Sequence, residues 1–203
     1  MLNRFARAFF TKLFTPVARL LLRLGISPDI VTVVGTVGVC IGALAFYPRH
    51  EFFWGTIVIT VFVFSDTVDG VMARMSGRSS SWGAYLDSTL DRVGDSAIFG
   101  GLVLYYAGPG HQLFMAGLAL ACLILGSVVS YAKARAEGLG MTANVGIAER
   151  ADRLVVVLVA TGLVGWFLPE VVLAVVLGLL ALASLVTVVQ RMLEVRRQAL
   201  DLV

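Results

Sequence analysis

The chain has 203 residues, 59% of them hydrophobic and 14% charged, with a formal net charge of +3. A mean hydropathy of +0.91 lies far outside the range of water-soluble domains and predicts one integral membrane domain. The basic residues sit beside apolar segments, where anionic lipid headgroups are their natural counterpart, so nucleic acid is not expected as a partner.

Residues 1–24 interleave Arg4, Arg7, Lys12, Arg19 and Arg23 with Phe5, Phe9, Phe10, Leu13, Phe14, Leu20 and Leu21. This pattern predicts a basic amphipathic helix lying in the membrane interface. A cleavable signal peptide would have a compact uncharged core, which this segment lacks. Apolar stretches of about 20 residues, long enough to cross a bilayer, then begin near Ile30, Phe52, Gly83, His111, Arg153 and Val171. The predicted fold is all-α and integral to the membrane, with six transmembrane helices over residues 30–196 inside a single domain spanning 1–203.

Placing both termini in the cytoplasm puts every lysine and arginine except Arg49 on or near that side, which sets the topology of a multi-pass cell-membrane protein. The outer turns are then 47–51, 108–111 and 168–170, flanked by the interfacial aromatics Phe46, Tyr47, Trp54, Tyr105, Tyr106, Trp166 and Phe167. His50 and His111 fall in these outer turns. The inner loops are rich in serine and glycine at 75–82 and mostly small and polar at 136–148, and chemistry is expected there. Cys40 and Cys122 fall in different spans without CxxC spacing and read as small buried hydrophobes. Gly35, Gly38 and Gly42 read as close helix packing or a dimer face.

Four aspartates stand out against this apolar background. Residues three or four apart share a helix face, so Asp66 and Asp69 point together from the end of the second span, and Asp87 and Asp91 from the start of the third. A carboxylate within a span costs a few kcal/mol or more. Several together repel unless a cation joins them, and an all-oxygen set suits Mg²⁺, Mn²⁺ or Ca²⁺ rather than zinc. Gly70 and Gly83 remove side chains where a backbone would approach a ligand or helix closely, Ala73 keeps that face small, and Arg74 offers a planar fork to phosphate. Such a site suits a metal-bridged pyrophosphate.

These residues resemble the signature of the CDP-alcohol phosphotransferases, D-x2-D-G-x2-A-R-x8-G-x3-D-x3-D, met by Asp66, Asp69, Gly70, Ala73, Arg74, Gly83, Asp87 and Asp91 without a departure. The resemblance also covers the six-span frame, and it implies transfer of a phosphatidyl group from CDP-diacylglycerol to an alcohol with release of CMP. It implies that Asp66, Asp69, Asp87 and Asp91 bind two metal ions, Mg²⁺ with Mn²⁺ as the alternative, and that Asp91 also acts as base. Gly70, Ala73, Arg74 and Gly83 would form the nucleotide cleft with the loop residue Ser80. The stretch from Ser27 through Pro28 and Asp29 to Thr32 is similar to the family's further contact with the CDP headgroup, so Asp29 and Thr32 are expected to bind CDP-diacylglycerol. A homodimer is usual in the family.

The acceptor is read from charges elsewhere on the inner side. Lys133, Arg135, Arg150, Arg153 and Arg191 lie at the cytoplasmic ends of the fourth, fifth and sixth spans, a cluster that a phosphorylated alcohol needs and a plain one does not. The stretches 130–137, 147–154 and 188–191 resemble those of bacterial phosphatidylinositol-phosphate synthases, a branch of the same family. That resemblance implies that Lys133, Arg153 and Arg191 hold the acceptor's phosphate, with myo-inositol 1-phosphate as acceptor and glycerol 3-phosphate as the alternative. Arg92 and Asp95 read as a pair with neighbours, and Arg135, Arg196 and Arg197 as lipid or topology anchors. A cation-coupled transporter would also place aspartates in a helical bundle, but near mid-bilayer rather than beside one face. A structural subunit without activity would replace the signature by packing residues.

Overall fold

In the computed structural model, which describes residues 2–77 and 80–201 with side chains from residue 13, the described chain is helical with short turns. Helix α1 (Leu2–Arg23) runs through the amphipathic segment, and α2 (Pro28–Ile41) continues as a π turn (Gly42–Phe46) and a 3-10 turn (Tyr47–Arg49). There follow α3 (Phe52–Val63), α4 (Ser65–Ser76), α5 (Ser81–Ala107), α6 (Leu113–Glu137), α7 (Arg150–Trp166) and α8 (Glu170–Asp201). The starts are encoded locally. Ser27 caps α2 by accepting from the Ile30 N–H at 3.3 Å, with Pro28 at a position whose missing N–H costs nothing.

Among the described residues, four segments are long and apolar enough to cross a membrane: Pro28–Arg49, Phe52–Ser76, Leu113–Glu137 and Glu170–Asp201. Two further helices, α5 and α7, differ for physical reasons. Helix α5 has 27 residues but carries Asp87, Asp91, Arg92 and Asp95, and α7 has 17 residues and begins on Arg150 and Arg153. The chain therefore keeps its polar residues on the helices that build the site.

One aromatic and aliphatic core gathers these helices. Tyr47, Phe52, Ile59, Leu102, Tyr106, Val157, Leu173 and Leu177 are fully buried, and the Tyr47 and Thr56 hydroxyls share a 2.9 Å hydrogen bond. Outward-facing Val37, Val61, Leu120, Val155, Leu179 and Leu182 remain exposed, a distribution that suits lipid and not water. Gly38 and Gly42 settle as packing positions within the chain: side chains there would run into Phe62 and Ile59, so these glycines let α2 approach α3 closely. Helix α1 packs on α4, with Ala18 buried among Val68, Val71 and Met72. Cys40 and Cys122 are unpaired, and the Cys122 thiol donates to the Leu177 carbonyl at 3.2 Å.

The turns at 47–51, 108–111 and 168–170 lie at one end of the bundle, where His50 stacks on Tyr105 at 4.7 Å and lies 3.6 Å from Glu170. At the other end, the start of α2, helix α4, the starts of α5 and α7, and the ends of α6 and α8 come together. The helix from Phe52 to Ser76 is interrupted at Phe64, which places Asp66 in the first turn of a new helix, where a negative charge is favoured. This interruption was not legible in the sequence.

Candidate functional site

Two cavities share the end of the bundle opposite His50 and Glu170. The first, of about 500 Å³, lies between α2, α4 and the start of α5 and is lined by Asp29, Thr32, Asp66, Asp69, Gly70, Ala73, Ser80, Gly83 and Asp87. Ser80 caps α5 by accepting from the Gly83 N–H at 3.0 Å. The Trp82 indole donates to Asp29 Oδ2 at 3.2 Å and ties the start of α5 to α2. Trp82 was missed in the sequence, where only its aromatic character beside a glycine-rich loop marked it.

Carboxylate oxygens of Asp66, Asp69 and Asp87 lie within 4.8 Å of one another, close enough for one ion to bind all three. Asp69 is 7% exposed, and its Oδ2 accepts from the Thr32 hydroxyl at 2.5 Å, which fixes the carboxylate's orientation. The donor set is hard oxygen throughout and fits Mg²⁺ or Mn²⁺. Asp91, the fourth member of the spacing, stands outside this cluster and is taken up by Arg150, whose Nη1 lies 2.9 Å from Asp91 Oδ1.

The glycines of this cavity do different work from those of the core. A side-chain carbon at Gly70 would meet only the Arg74 Nη1, at 3.5 Å, and one at Gly83 only Ser80 and Asp29 at ordinary contact distance. Packing within the protein requires neither glycine, so the space they leave is available to a ligand. Arg74 is exposed and folds its guanidinium over Gly70 at the rim, and it is the one residue of the expected nucleotide set that does not line the cavity.

The second cavity, of about 670 Å³, opens between α5, α6, α7 and α8 and is lined by Asp91, Arg92, Ser130, Lys133, Glu137, Glu149, Arg150, Arg153 and Arg191. Lys133, Arg153 and Arg191, on three successive helices, thus line one space. Arg153 is 5% exposed, and its Nη1 has no hydrogen-bond partner among the described residues. An unpaired buried donor of this kind is costly unless an anion completes it. Gly126 makes room for it, since a side-chain carbon there would lie 2.9 Å from the same Nη1.

Arg191 is more committed than the sequence suggested. Its Nε donates to the Val145 carbonyl at 3.0 Å and its Nη1 to the Val129 carbonyl at 2.6 Å, which leaves Nη2 as the nitrogen free to meet an anion. These bonds, with Thr187 accepting from the Ile147 and Ala148 N–H groups at 3.2 Å, fasten the 138–149 loop to α8. Arg92 and Asp95 pair as expected, at 3.3 Å, while Arg197 pairs with Glu194 at 2.7 Å on the surface. Arg150, counted in the sequence only as one of a basic group, is the residue that joins the two cavities.

A family model described as CDP-alcohol phosphatidyltransferase matches residues 25–189. The chain is 56% identical over 207 residues to the phosphatidylinositol phosphate synthase of Streptomyces avermitilis, covering 99% of this chain and 85% of that one. It is also similar to the crystal structure of Mycobacterium tuberculosis phosphatidylinositol phosphate synthase (PgsA1) with CDP-DAG bound, with a TM-score of 0.87 and 41% identity over 91% of this chain and 94% of that one. The structure of the same enzyme in complex with manganese and citrate matches with a TM-score of 0.86 and 41% identity, over 90% and 88% of the two chains.

Proposed function

The chain belongs to the CDP-alcohol phosphatidyltransferase family and is an enzyme of the phosphatidylinositol phosphate synthase type, and we propose a division of labour between its two cavities. The acidic cavity takes CDP-diacylglycerol and the basic cavity takes an inositol phosphate, most simply myo-inositol 1-phosphate. A hydroxyl of the acceptor attacks the phosphorus that bears diacylglycerol, the bond from that phosphorus to the CMP oxygen breaks, and phosphatidylinositol phosphate and CMP result.

The observation that carries this reading is the placement of Asp91. It lines the basic cavity and stands one helical turn from Asp87 in the acidic one, so a donor and a phosphorylated acceptor on its two sides come within reach of one carboxylate. Asp66, Asp69 and Asp87 would hold a divalent cation, Mg²⁺ or Mn²⁺, with Asp91 completing the set for a second. Such ions neutralise the pyrophosphate and the departing oxygen. The chain's own part is to orient. Asp29, Thr32, Gly70, Ala73, Ser80 and Gly83 shape the headgroup cleft with Arg74 at its rim, while Lys133, Arg153 and Arg191 Nη2 bind the acceptor's phosphate. Asp91 receives the hydroxyl proton.

The membrane arrangement belongs to the same proposal. All six passes from α2 to α8 cross the cell membrane as one domain with residues 1–24 in the interface, and both termini and the two cavities face the cytoplasm. The single-sided clustering of basic residues supports this. Assembly as a homodimer is taken from the family's habit. The test is CMP release from CDP-diacylglycerol and Mg²⁺ by the purified protein, rapid with myo-inositol 1-phosphate and slow or undetectable with free inositol or glycerol 3-phosphate. Glycerol 3-phosphate as the best acceptor would overturn the choice of acceptor, and no CMP release with any of them would overturn the enzyme reading.

A further inference from the structure

Arg150 opens α7 and reaches back across the bundle to α5 and α4. Its Nε donates to both oxygens of Asp95, at 3.2 and 3.3 Å. Its Nη1 lies 2.9 Å from Asp91 Oδ1 and 3.9 Å from Asp66 Oδ2. Asp95 is itself held in place by Arg92 Nη2 at 3.3 Å, and Arg92 donates in turn to the Ser130 hydroxyl on α6. One edge of the guanidinium is therefore anchored on Asp95, and the other meets Asp91 closely, with Asp66 at the limit of an ion pair.

Asp87 and Asp91 are one helical turn apart and share a face of α5, yet only Asp87 joins the cluster with Asp66 and Asp69. Backbone geometry does not explain the difference, since both carboxylates start from the same side of the helix. The close cation at Asp91 is Arg150, at 2.9 Å, with Arg92 Nη2 farther off at 3.9 Å. A planar fork with separate Nε and Nη donors bridges Asp95 and Asp91 at once, whereas an ammonium is a single point charge. The positive charge also offsets carboxylates that would otherwise repel one another in a partly dry site.

The geometry points to Arg150 as a positioning residue that competes with a divalent cation for Asp91, holding this carboxylate on the acceptor side from its anchor on Asp95. The inference rests on the proposed reading of Asp91 as a metal ligand. It makes two claims: Arg150 weakens cation binding at the aspartates, and it does so through Asp91 and not merely through its charge.

Both are read from Mn²⁺ affinity, measured on the purified protein in detergent without substrate by the electron paramagnetic resonance signal of free Mn²⁺. Arg150→Met is expected to bind Mn²⁺ roughly tenfold more tightly than the parent, and the gain is expected to shrink to about twofold when Asp91→Asn is also present. An equal gain in both backgrounds would reduce Arg150 to a remote charge and overturn the proposal, as would no gain at all. If Arg150→Met does not fold, Arg150→Lys keeps the charge but cannot bridge Asp95 and Asp91 at once, and it is expected to tighten Mn²⁺ binding in the same direction; an unchanged or weaker affinity there overturns the proposal. Asp91→Asn alone separates the two levels of the argument. If it leaves Mn²⁺ affinity and CMP release intact, the reading of Asp91 as a ligand fails.

Discussion

The Thr32 hydroxyl donates to Asp69 Oδ2 at 2.5 Å, a bond between residues 37 apart in the chain that locks the start of α2 to the second turn of α4. Thr32 also donates toward the Pro28 carbonyl at 3.2 Å, so its hydroxyl is shared between holding its own helix and aiming the carboxylate.

Thr32→Val keeps the shape and removes this donor. Turnover is expected to fall by about one to two orders of magnitude, as for loss of a residue that orients a metal ligand, and Thr32→Ser is expected to restore most of it. The measurement is steady-state CMP release with Mg²⁺ varied. A Thr32→Val enzyme with parental turnover and parental Mg²⁺ dependence would show that Asp69 needs no such support.

Gly70 and Gly101 make a contrasting pair. A side-chain carbon at Gly101 would lie 2.7 Å from the Ala43 carbonyl oxygen, against backbone that cannot give way cheaply, whereas at Gly70 it meets only Arg74. Gly101→Ala is expected to lower the thermal midpoint by several degrees, on the order of 1–3 kcal/mol of overpacking. Gly70→Ala is expected to keep or slightly raise the midpoint, since alanine favours a helix by about 1 kcal/mol over glycine, while raising the KM for CDP-diacylglycerol. Thermal unfolding monitored by tryptophan fluorescence, set beside kinetics, checks both. Parental KM in Gly70→Ala would remove Gly70 from the headgroup cleft.

The two cavities are expected to respond separately to substitution. Asp66→Asn lowers turnover by about three orders of magnitude or more with every acceptor, in the range seen when a principal electrostatic group of a reaction is lost. Arg153→Ala chiefly raises the KM for myo-inositol 1-phosphate, because Arg153 lines the basic cavity and its Nη1 has no hydrogen-bond partner among the described residues. Initial rates with each substrate varied in turn give the separation. An equal rise in the KM for CDP-diacylglycerol in Arg153→Ala would argue against two pockets.

What the sequence determined by itself was whatever depends on near neighbours. Spacings of three and four placed Asp66 with Asp69 and Asp87 with Asp91 on shared faces, because the helical repeat is local. Apolar runs marked six stretches, and among the described residues four segments have the length and hydropathy for a span, while charge asymmetry gave the expected side of the loops. Lys133, Arg153 and Arg191 were grouped instead by resemblance to a branch of the family, and the structure sets all three around one cavity.

Only the tertiary structure decided which of these groups touch. Arg150 is 59 residues from Asp91 and binds it, while Arg191 gives two of its nitrogens to the Val129 and Val145 carbonyls and Trp82 reaches Asp29. Each of these contacts depends on how helices far apart in sequence pack side by side. No spacing along one strand of residues records that. Nor does periodicity show where a helix breaks at Phe64, since the residues on both sides are helical. The sequence thus identified the aspartates and the cations, and the packing of α2, α4, α5 and α7 assigned Asp91 to Arg150 and the other three to one another.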